Sequence, residues 1–285
     1  MTRTMLPADA TDTLRRMAEA AQAGGQIARG AMGRRSIDAI LQKAPRDYQT
    51  DADIAVERAI VEKLRGHFPD HGILGEEGVG DHAAAQGAPI FIIDPIDGTT
   101  NFAWGIPHFG VVISLVVGGE VVAGITYDPM LEEMFAAEAS KGAWLNGARL
   151  DARGSDDTVN AVIGAGLPIP GQVRSVPEET YHAALRRCMD RTAGVRRMGS
   201  SALSIAYVAA GRFDGFFEDM LSLHDYGASM LVLREAGGIV TGLDGGPVGN
   251  PGGVLAATAA MHPWLLEGFA QARAAQSPSG LSVVI

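Results

Sequence analysis

The chain has 285 residues, of which 47% are hydrophobic, and its 23 Lys and Arg against 33 Asp and Glu give a formal net charge of −10. This length allows a sizeable buried core, while the acidity argues against nucleic acid or an anionic membrane as a partner. The single cysteine, Cys188, excludes an internal disulfide and a cysteine-ligated zinc site, and it is consistent with a reducing, cytoplasmic location.

The first part of the chain is predicted to contain two helices. Residues 11–30 form the first predicted helix, with Thr11 or Asp12 as its cap, and residues 51–67 form the second. Asp53 lies on the same side of the second helix as its apolar residues. An acidic residue on the inward face of a helix is a candidate for a functional role.

Four strand-like runs follow the second helix. They span residues 89–94, 109–117, 121–127 and 133–137. Gly118 and Gly119 form a tight turn between the second and third runs. Consecutive strands joined by short turns predict an antiparallel sheet.

After residue 150 the predicted strands and helices alternate, which indicates an α/β unit. The predicted order is strand 161–165, helix 177–189, a short strand near 195, helix 201–210, strand 213–217, helix 225–236, strands 238–241 and 254–257, and helix 262–274. The prediction is therefore one compact unit of two parts, an N-terminal α+β part over residues 1–150 and a C-terminal α/β part over residues 151–285.

The segment FIIDPIDGTTNF, residues 91–102, places two carboxylates at the end of an apolar strand. A capped turn would explain Asp97, because Asp is common before Gly, but not Asp94, which directly follows the apolar run. Two carboxylates this close repel each other and are costly to bury without partners. A hard cation such as Mg²⁺ removes that cost, and the carbonyl of Ile96 would be a further oxygen ligand.

Gly98 and Thr99 open a predicted short helix directly after these carboxylates. Unpaired N–H groups at a helix start can hold an anion such as phosphate. A metal site beside them would supply the local positive charge that an acidic protein needs in order to bind a small anion. Phe102 and Trp104 are predicted to pack in the core behind this turn.

Three further acidic sites have contexts of the same kind. Glu76 and Glu77 follow an apolar step in ILGEEGVG, Asp225 opens a predicted helix, and Asp53 lies in the first turn of the second helix. Each has an ordinary explanation, namely a solvated acidic loop, a helix N-cap or a favourable interaction with the helix dipole. Their occurrence together in one chain favours a metal site.

These motifs resemble the inositol monophosphatase family of Mg²⁺-dependent, lithium-sensitive phosphatases. The resemblance covers about residues 11–274 and rests on GEE at 75–77, DPIDGTTNF at 94–102, WLNG at 144–147, RRMGSSALSIAYVAAGRFDGFFE at 196–218 and LVLREAGG at 231–238. It implies a layered α-β-α-β-α fold, with an antiparallel N-terminal sheet and a mixed C-terminal sheet. It also implies a homodimer.

The resemblance further implies a role for individual residues. The metal ligands, for two or three Mg²⁺ ions, fall on Glu76, Asp94, the carbonyl of Ile96, Asp97 and Asp225. The catalytic residues, which would orient and deprotonate the attacking water, fall on Glu76, Thr99 and Asp53. The substrate contacts fall on Gly98, Thr99, Ser200, Glu218 and Asp225. The implied reaction is direct hydrolysis by water, without a covalent intermediate.

The leading substrate is a small phosphorylated polyol or sugar, with inositol monophosphate first, because the Glu218 carboxylate suits hydroxyl groups and would repel a second phosphate. Fructose-1,6-bisphosphate, histidinol phosphate and 3′-phosphonucleotides remain open, and residues 164–174 are expected to shape the pocket that distinguishes them. A non-catalytic regulatory relative is an alternative of another class; loss of a metal carboxylate would support it, and none is lost here. The chain departs from the family at His224, where the family usually has Trp.

Overall fold

A computed structural model of the protein describes residues 5–33, 40–44, 47–79 and 87–276. The helices in these ranges are α1 (Asp12–Ala31), α2 (Asp51–His67), α3 (Thr99–Ala103), α4 (Glu178–Arg191), α5 (Ser201–Ala209), α6 (Leu223–Glu235) and α7 (His262–Gln276). The strands are β1 (Ile40–Ala44), β2 (Asp47–Thr50), β3 (Gly72–Gly75), β4 (Ile90–Asp97), β5 (Gly110–Val117), β6 (Glu120–Asp128), β7 (Glu133–Glu138), β8 (Gly142–Leu145), β9 (Ala148–Arg149), β10 (Val162–Ala165), β11 (Gly194–Arg196), β12 (Gly215–Leu221), β13 (Ile239–Thr241) and β14 (Gly252–Ala257). Across the described ranges, none of the helices has both the length and the apolar character needed to cross a membrane.

The first two helices begin where the sequence predicts, because polar side chains close their first turns. At the start of α1, Thr11 Oγ1 accepts the N–H of Leu14 at 3.2 Å. At the start of α2, Thr50 and Asp53 form a reciprocal capping box. This box also holds Asp53, which is only 1% exposed, in the first turn of the helix.

The N-terminal sheet has seven strands in the order β3-β4-β5-β6-β7-β8-β9. β3 and β4 are parallel, and the other neighbouring strands are antiparallel. The antiparallel sheet predicted from the four runs is therefore confirmed as β4 to β7. The sequence prediction overlooked the hairpin of β8 and β9, although its turn residues, Asn146 and Gly147 at φ 48° and 77°, are a strong hairpin signal.

The C-terminal sheet has five strands in the order β11-β10-β12-β14-β13. β10 is parallel to β11 and to β12, while β14 is antiparallel to β12 and to β13. The parallel neighbours are joined through α4 and α5, since parallel strands need a long crossover connection. The sheet is therefore mixed, as the resemblance implies. The division of the chain at residue 150 stays a prediction.

The helices divide the molecule into layers. α1 and α2 pack on the outer face of the N-terminal sheet, α5 and α6 lie between the two sheets, and α4 and α7 cover the outer face of the C-terminal sheet. The order is α-β-α-β-α, so the predicted fold is confirmed. The end of β4 meets the starts of α5 and α6 in the middle of this arrangement.

The core prediction is confirmed for Phe102 and wrong for Trp104, which are 6% and 43% exposed. α3 has five residues and ends at Ala103. Residues two apart on a helix point to different sides. Phe102 accordingly packs edge-on against Phe109, with ring centroids 5.1 Å apart, while Trp104 follows the helix at the surface.

Candidate active site

Asp94 and Asp97 lie at the end of β4, on either side of an irregularity in its pairing with β5. Asp94 is opposite Val112 and Asp97 is opposite Gly110, so β4 advances three residues while β5 advances two. On a regular strand, side chains three residues apart point to opposite faces, and the extra residue of a bulge removes that alternation. Pro95 is tolerated here because the extra residue of a bulge is not paired with the neighbouring strand, so the N–H that proline lacks is not needed. The strand therefore continues to Asp97, whereas the sequence predicted an end at Asp94.

A third carboxylate comes from the start of α6. The sequence predicted that this helix begins at Asp225, which is wrong by two residues, because α6 begins at Leu223 with Ser222 as its N-cap. Asp225 Oδ2 accepts the N–H and the hydroxyl of Ser222 at 2.6 and 2.8 Å, which forms a capping box. Asp94, Asp97 and Asp225 each offer one oxygen, and these oxygens all lie within 4.8 Å of one another.

The electrostatics of these three carboxylates fit a divalent cation. Burial and the neighbouring carboxylates raise the pKa of Asp94 well above its ordinary value of 3.8. Burial and then the charge of Asp225 raise the pKa of Asp97 to about 8, and burial raises the pKa of Asp225. Ionised carboxylates this close together repel one another, and a divalent cation with oxygen ligands removes that repulsion. The donor set is chemically suited to Mg²⁺.

Glu76 reaches this cluster from the turn after β3. β3 and β4 are parallel and Gly75 pairs with Ile93, so the residue after Gly75 lies beside Asp94. The N–H of Glu76 donates to the Ile93 carbonyl at 3.0 Å. After burial, the charge of Glu76 is the next cause that raises the pKa of Asp94. The structure thus brings Glu76 to the cluster, and its role as a ligand stays a prediction.

Asp53 and Thr99 approach the cluster from α2 and α3. Asp53 Oδ2 accepts the N–H and the hydroxyl of Thr50 at 2.8 and 2.5 Å, while Asp53 Oδ1 lies 3.5 Å from Thr99 Oγ1. The Thr99 hydroxyl also lies 3.1 Å from the carbonyl oxygen of Ile96, so its single proton can go to either acceptor. Burial raises the pKa of Asp53 to about 6, which suits a carboxylate that accepts a proton near neutral pH.

Gly98 forms the connection between β4 and α3, with φ at 100°. A Cβ at this position would lie 2.9 Å from the carbonyl oxygen of Gly199. Glycine is needed here both for the backbone conformation and for this close approach. The helix begins at the next residue, Thr99. The phosphate contacts of Gly98 and Thr99 stay a prediction.

Ser200 is the N-cap of α5, and its hydroxyl donates to Asp97 Oδ2. The N–H groups of Ser201 and Ala202 donate to the two oxygens of the same carboxylate at 3.2 and 2.8 Å. These three donors attach the start of α5 to Asp97 and favour its anionic form. The structure therefore connects Ser200 to the carboxylate cluster, and the substrate contact predicted for it stays a prediction.

Glu218 lies on β12 beside a small polar cavity. Ser201 Oγ donates to Glu218 Oε2 at 2.9 Å, and burial raises the pKa of Glu218 to about 7. A Cβ on Gly166 would lie 2.5 Å from the Glu218 side chain, so only glycine leaves room for Glu218 at this point. Glu218, Ser200, Ser201 and Arg197 line the cavity together. A carboxylate in this position can accept hydrogen bonds from the hydroxyl groups of a polyol.

Two further residues that the sequence singled out, Cys188 and His224, lie in α4 and in α6. Cys188 is buried in α4, and burial raises the pKa of its thiol to about 12, which indicates a structural residue of low reactivity. His224 is in the first turn of α6, with Nδ1 3.4 Å from the hydroxyl of Ser222. It therefore lies next to the capping box that orients Asp225.

Ser201 and Glu57 are among the residues at the site that escaped sequence prediction. Ser201 holds Glu218, but a serine at the start of a helix is too common to be a signal. Glu57 is fully buried on α2 and accepts the N–H of Glu77 at 2.9 Å. The sequence did contain an indication of a role for Glu57, because a glutamate one turn after Asp53 on the inward face of a helix requires hydrogen-bond partners.

Comparison with known proteins extends these observations. A sequence profile of the Inositol monophosphatase family matches residues 10–275. The inositol-1-monophosphatase of Rhizobium meliloti (strain 1021) is 45% identical over 204 residues, which are 72% of this chain and 75% of that protein. The Nus factor SuhB of Pseudomonas aeruginosa is 39% identical over 228 residues, which are 79% of this chain and 83% of that protein. The crystal structure of extragenic suppressor protein suhB from Bartonella henselae is 36% identical, with a TM-score of 0.84 over 91% of this chain and 98% of that one.

Proposed function

Because the chain belongs to the inositol monophosphatase family, we propose that it hydrolyses the phosphomonoester of a small polyol in a Mg²⁺-dependent reaction, with inositol monophosphate as the leading substrate. One observation carries the proposal. Asp94 and Asp97 from β4, which are buried, and Asp225 from α6, which is partly buried, bring three oxygens within 4.8 Å of one another. Such a cluster is unfavourable without a cation and is suited to one that also binds phosphate.

The proposed metal site would hold two or three ions. Its ligands are Asp94, Asp97 and Asp225, with Glu76 and the carbonyl of Ile96 as further ligands. When bound, Mg²⁺ would act as a Lewis acid that offsets the charge of the phosphate and acidifies a water molecule. Ser222 and Ser200 hold the Asp225 and Asp97 carboxylates by hydrogen bonds, which orients them for this task.

Thr99 and Asp53 form the proposed path for the proton of the attacking water. The Thr99 hydroxyl can accept the proton of the water while it donates its own to Asp53 Oδ1, which lies 3.5 Å away. With its pKa raised to about 6 by burial, Asp53 is an acceptor of suitable strength near neutral pH. Glu76 would orient the same water. The N–H groups after Gly98 would bind the phosphate oxygens.

The proposed pocket for the leaving group lies at Glu218. Its carboxylate can accept hydrogen bonds from the hydroxyls of a polyol, and its charge disfavours a second phosphate. Arg197 lines the same cavity and would offset part of that repulsion. Fructose-1,6-bisphosphate, histidinol phosphate and a 3′-phosphonucleotide are therefore the competitors to compare with inositol monophosphate.

The test is phosphate release from these four substrates, with Mg²⁺ and with a chelator. We expect the highest kcat/KM for inositol monophosphate, loss of activity on chelation and inhibition by Li⁺. Asp94→Asn should also abolish activity, because it removes a charge from the carboxylate cluster. Turnover without a divalent cation would contradict the mechanism. A preference for the bisphosphate would contradict only the substrate.

A regulatory, non-catalytic role is the second candidate, because several relatives carry the name Nus factor SuhB. The presence of every carboxylate proposed for the metal site favours catalysis. Binding of Mg²⁺ without phosphate release from any of the four substrates would favour the regulatory role instead.

A further inference from the structure

Glu57 is a buried carboxylate to which the proposed mechanism assigns no task. It lies on α2, four residues after Asp53, and is 0% exposed. A carboxylate buried to this degree strongly destabilises a protein unless hydrogen-bond donors surround it. Glu57 Oε2 accepts the N–H of Glu77 at 2.9 Å, and Oε1 accepts the N–H of Val79 at 2.5 Å. Each oxygen thus holds one N–H of the loop that follows β3.

The same loop carries Glu76, and its other side is attached to β4. The N–H of Glu76 donates to the carbonyl of Ile93 at 3.0 Å. The loop backbone is therefore held by β4 before Glu76 and by Glu57 after it. From this position the Glu76 carboxylate interacts with Asp94. Any movement of the Glu57 carboxylate would be transmitted to Glu76 through the peptide unit that joins Glu76 to Glu77.

Gly75 shows how closely Glu57 approaches this loop. A Cβ built on Gly75 would overlap the Glu57 carboxylate. Gly75 lies in β3 and is not one of the glycines with positive φ, so glycine is required here for space and not for backbone conformation. The motif that precedes the metal cluster is thus shaped to fit a carboxylate from α2.

We propose that Glu57 is a positioning residue, which holds the loop of residues 76–79 so that Glu76 is presented to the metal site before the cation binds. The inference rests on the Mg²⁺-dependent function proposed above. It gives the two buried acids of α2 different tasks. Asp53 accepts a proton, while Glu57 arranges a metal ligand by binding its backbone.

The first experiment compares Glu57→Gln with Glu138→Gln. The Gln amide keeps the shape of Glu57 but turns an NH₂ group toward one of the two backbone N–H groups, so one acceptor is lost. Glu138 is the control, because it is 7% exposed and accepts the N–H and hydroxyl of Thr11, although Lys141 Nζ also lies 3.3 Å from its Oε1. It lies on β7, which β5 and β6 separate from β4.

For each protein, thermal unfolding and phosphate release are measured over a range of Mg²⁺ concentrations. We expect Glu57→Gln to raise the Mg²⁺ midpoint of both measurements by about tenfold to hundredfold, with kcat at saturating Mg²⁺ close to the wild-type value. Glu138→Gln should lower the melting temperature while it keeps the wild-type midpoint. A wild-type midpoint in Glu57→Gln would overturn the proposal. If the wild-type protein neither binds Mg²⁺ nor releases phosphate, the proposed function itself fails.

A second measurement uses the wild-type protein and needs no variant. Amide hydrogen exchange is followed at Glu77 and Val79 in chelator and in Mg²⁺. If Glu57 holds the loop before metal binding, both amides exchange slowly under both conditions. Fast exchange in chelator that slows only with Mg²⁺ would mean that the cation orders the loop, and it would overturn the proposal even if Glu57→Gln does not fold.

Discussion

The contact between Gly166 and Glu218 allows the substrate pocket to be tested without a change of charge. Gly166→Ala would place a Cβ 2.5 Å from Glu218 Cγ, whereas ordinary Cβ contacts begin at 3.4 Å. The side chain must therefore move by about 0.9 Å (3.4 − 2.5). The hydrogen bond from Ser201 Oγ is 2.9 Å long, so a shift of this size changes its length or angle and takes the carboxylate out of its present position. Gly166 does not have positive φ, so its backbone accepts alanine.

The expected loss of kcat/KM follows from the hydrogen bonds to substrate that a displaced Glu218 carboxylate can no longer make. One hydrogen bond to a charged group contributes about 1.5–3 kcal/mol, which corresponds to about a tenfold to hundredfold decrease in kcat/KM. We expect the change mainly in KM for inositol monophosphate, measured by phosphate release at saturating Mg²⁺, because the metal ligands are unchanged. Gly66→Ala in α2, where a Cβ meets nothing within 4 Å among the residues that the structure describes, is the control and should keep the wild-type KM. An unchanged KM in Gly166→Ala would refute the role assigned to this contact.

Three other predictions concern charge and burial. The pKa of Asp97 is raised from 3.8 to about 8, so protonation of Asp97 stabilises the folded metal-free protein at low pH, and this stabilisation is lost as the pH rises from about 4 to about 8. Melting temperatures measured between about pH 5 and pH 8 should therefore fall with rising pH in chelator, and Mg²⁺ should reverse the fall. The same pH dependence of the melting temperature with Mg²⁺ as with chelator would contradict this. Thr50→Ala should lower the stability by about 1 kcal/mol, because it removes a helix cap. It should also shift the acidic limb of the pH–rate profile to higher pH, since the hydrogen bond from the Thr50 side chain lowers the pKa of Asp53. An unshifted acidic limb would count against Asp53 as the proton acceptor. Cys188, whose thiol pKa is raised to about 12 by burial, should resist alkylation of the native protein at about pH 8 in a mass-spectrometric assay, and rapid modification would disprove its burial.

Much of the fold could be predicted because its signals are local. Thr11 and the Thr50–Asp53 capping box mark the starts of α1 and α2 with side chains three residues from the groups they bind. Gly118-Gly119 marks the turn between β5 and β6 in the same way. The start of α6 was misplaced because two residues, Ser222 and Asp225, are both good caps, and their reciprocal bonds are visible only in the structure.

The candidate site was predictable in its residue types and not in its contacts. The bulge that turns Asp94 and Asp97 to one side depends on pairing with β5. The bonds from Ser200 and Ala202 to Asp97 span more than a third of the chain. Glu57 reaches the loop after β3 only because α2 packs against β4. The sequence therefore does not show which groups these side chains contact, even where, as for Glu57, its periodicity indicates that a side chain points inward.

The amino-acid sequence by itself determined which carboxylates are candidates for the site, where α1 and α2 begin and where β5 turns into β6, because each of these signals depends on residues within a short stretch of the chain. The distances among Asp94, Asp97 and Asp225, the attachment of Asp97 to α5 and the hydrogen bonds from Glu77 and Val79 to Glu57 were decided only by the tertiary structure. The physical reason is that the position of each carboxylate is set by how β4, α2, α5 and α6 pack together, and packing of elements so far apart in the chain is a property of the whole fold.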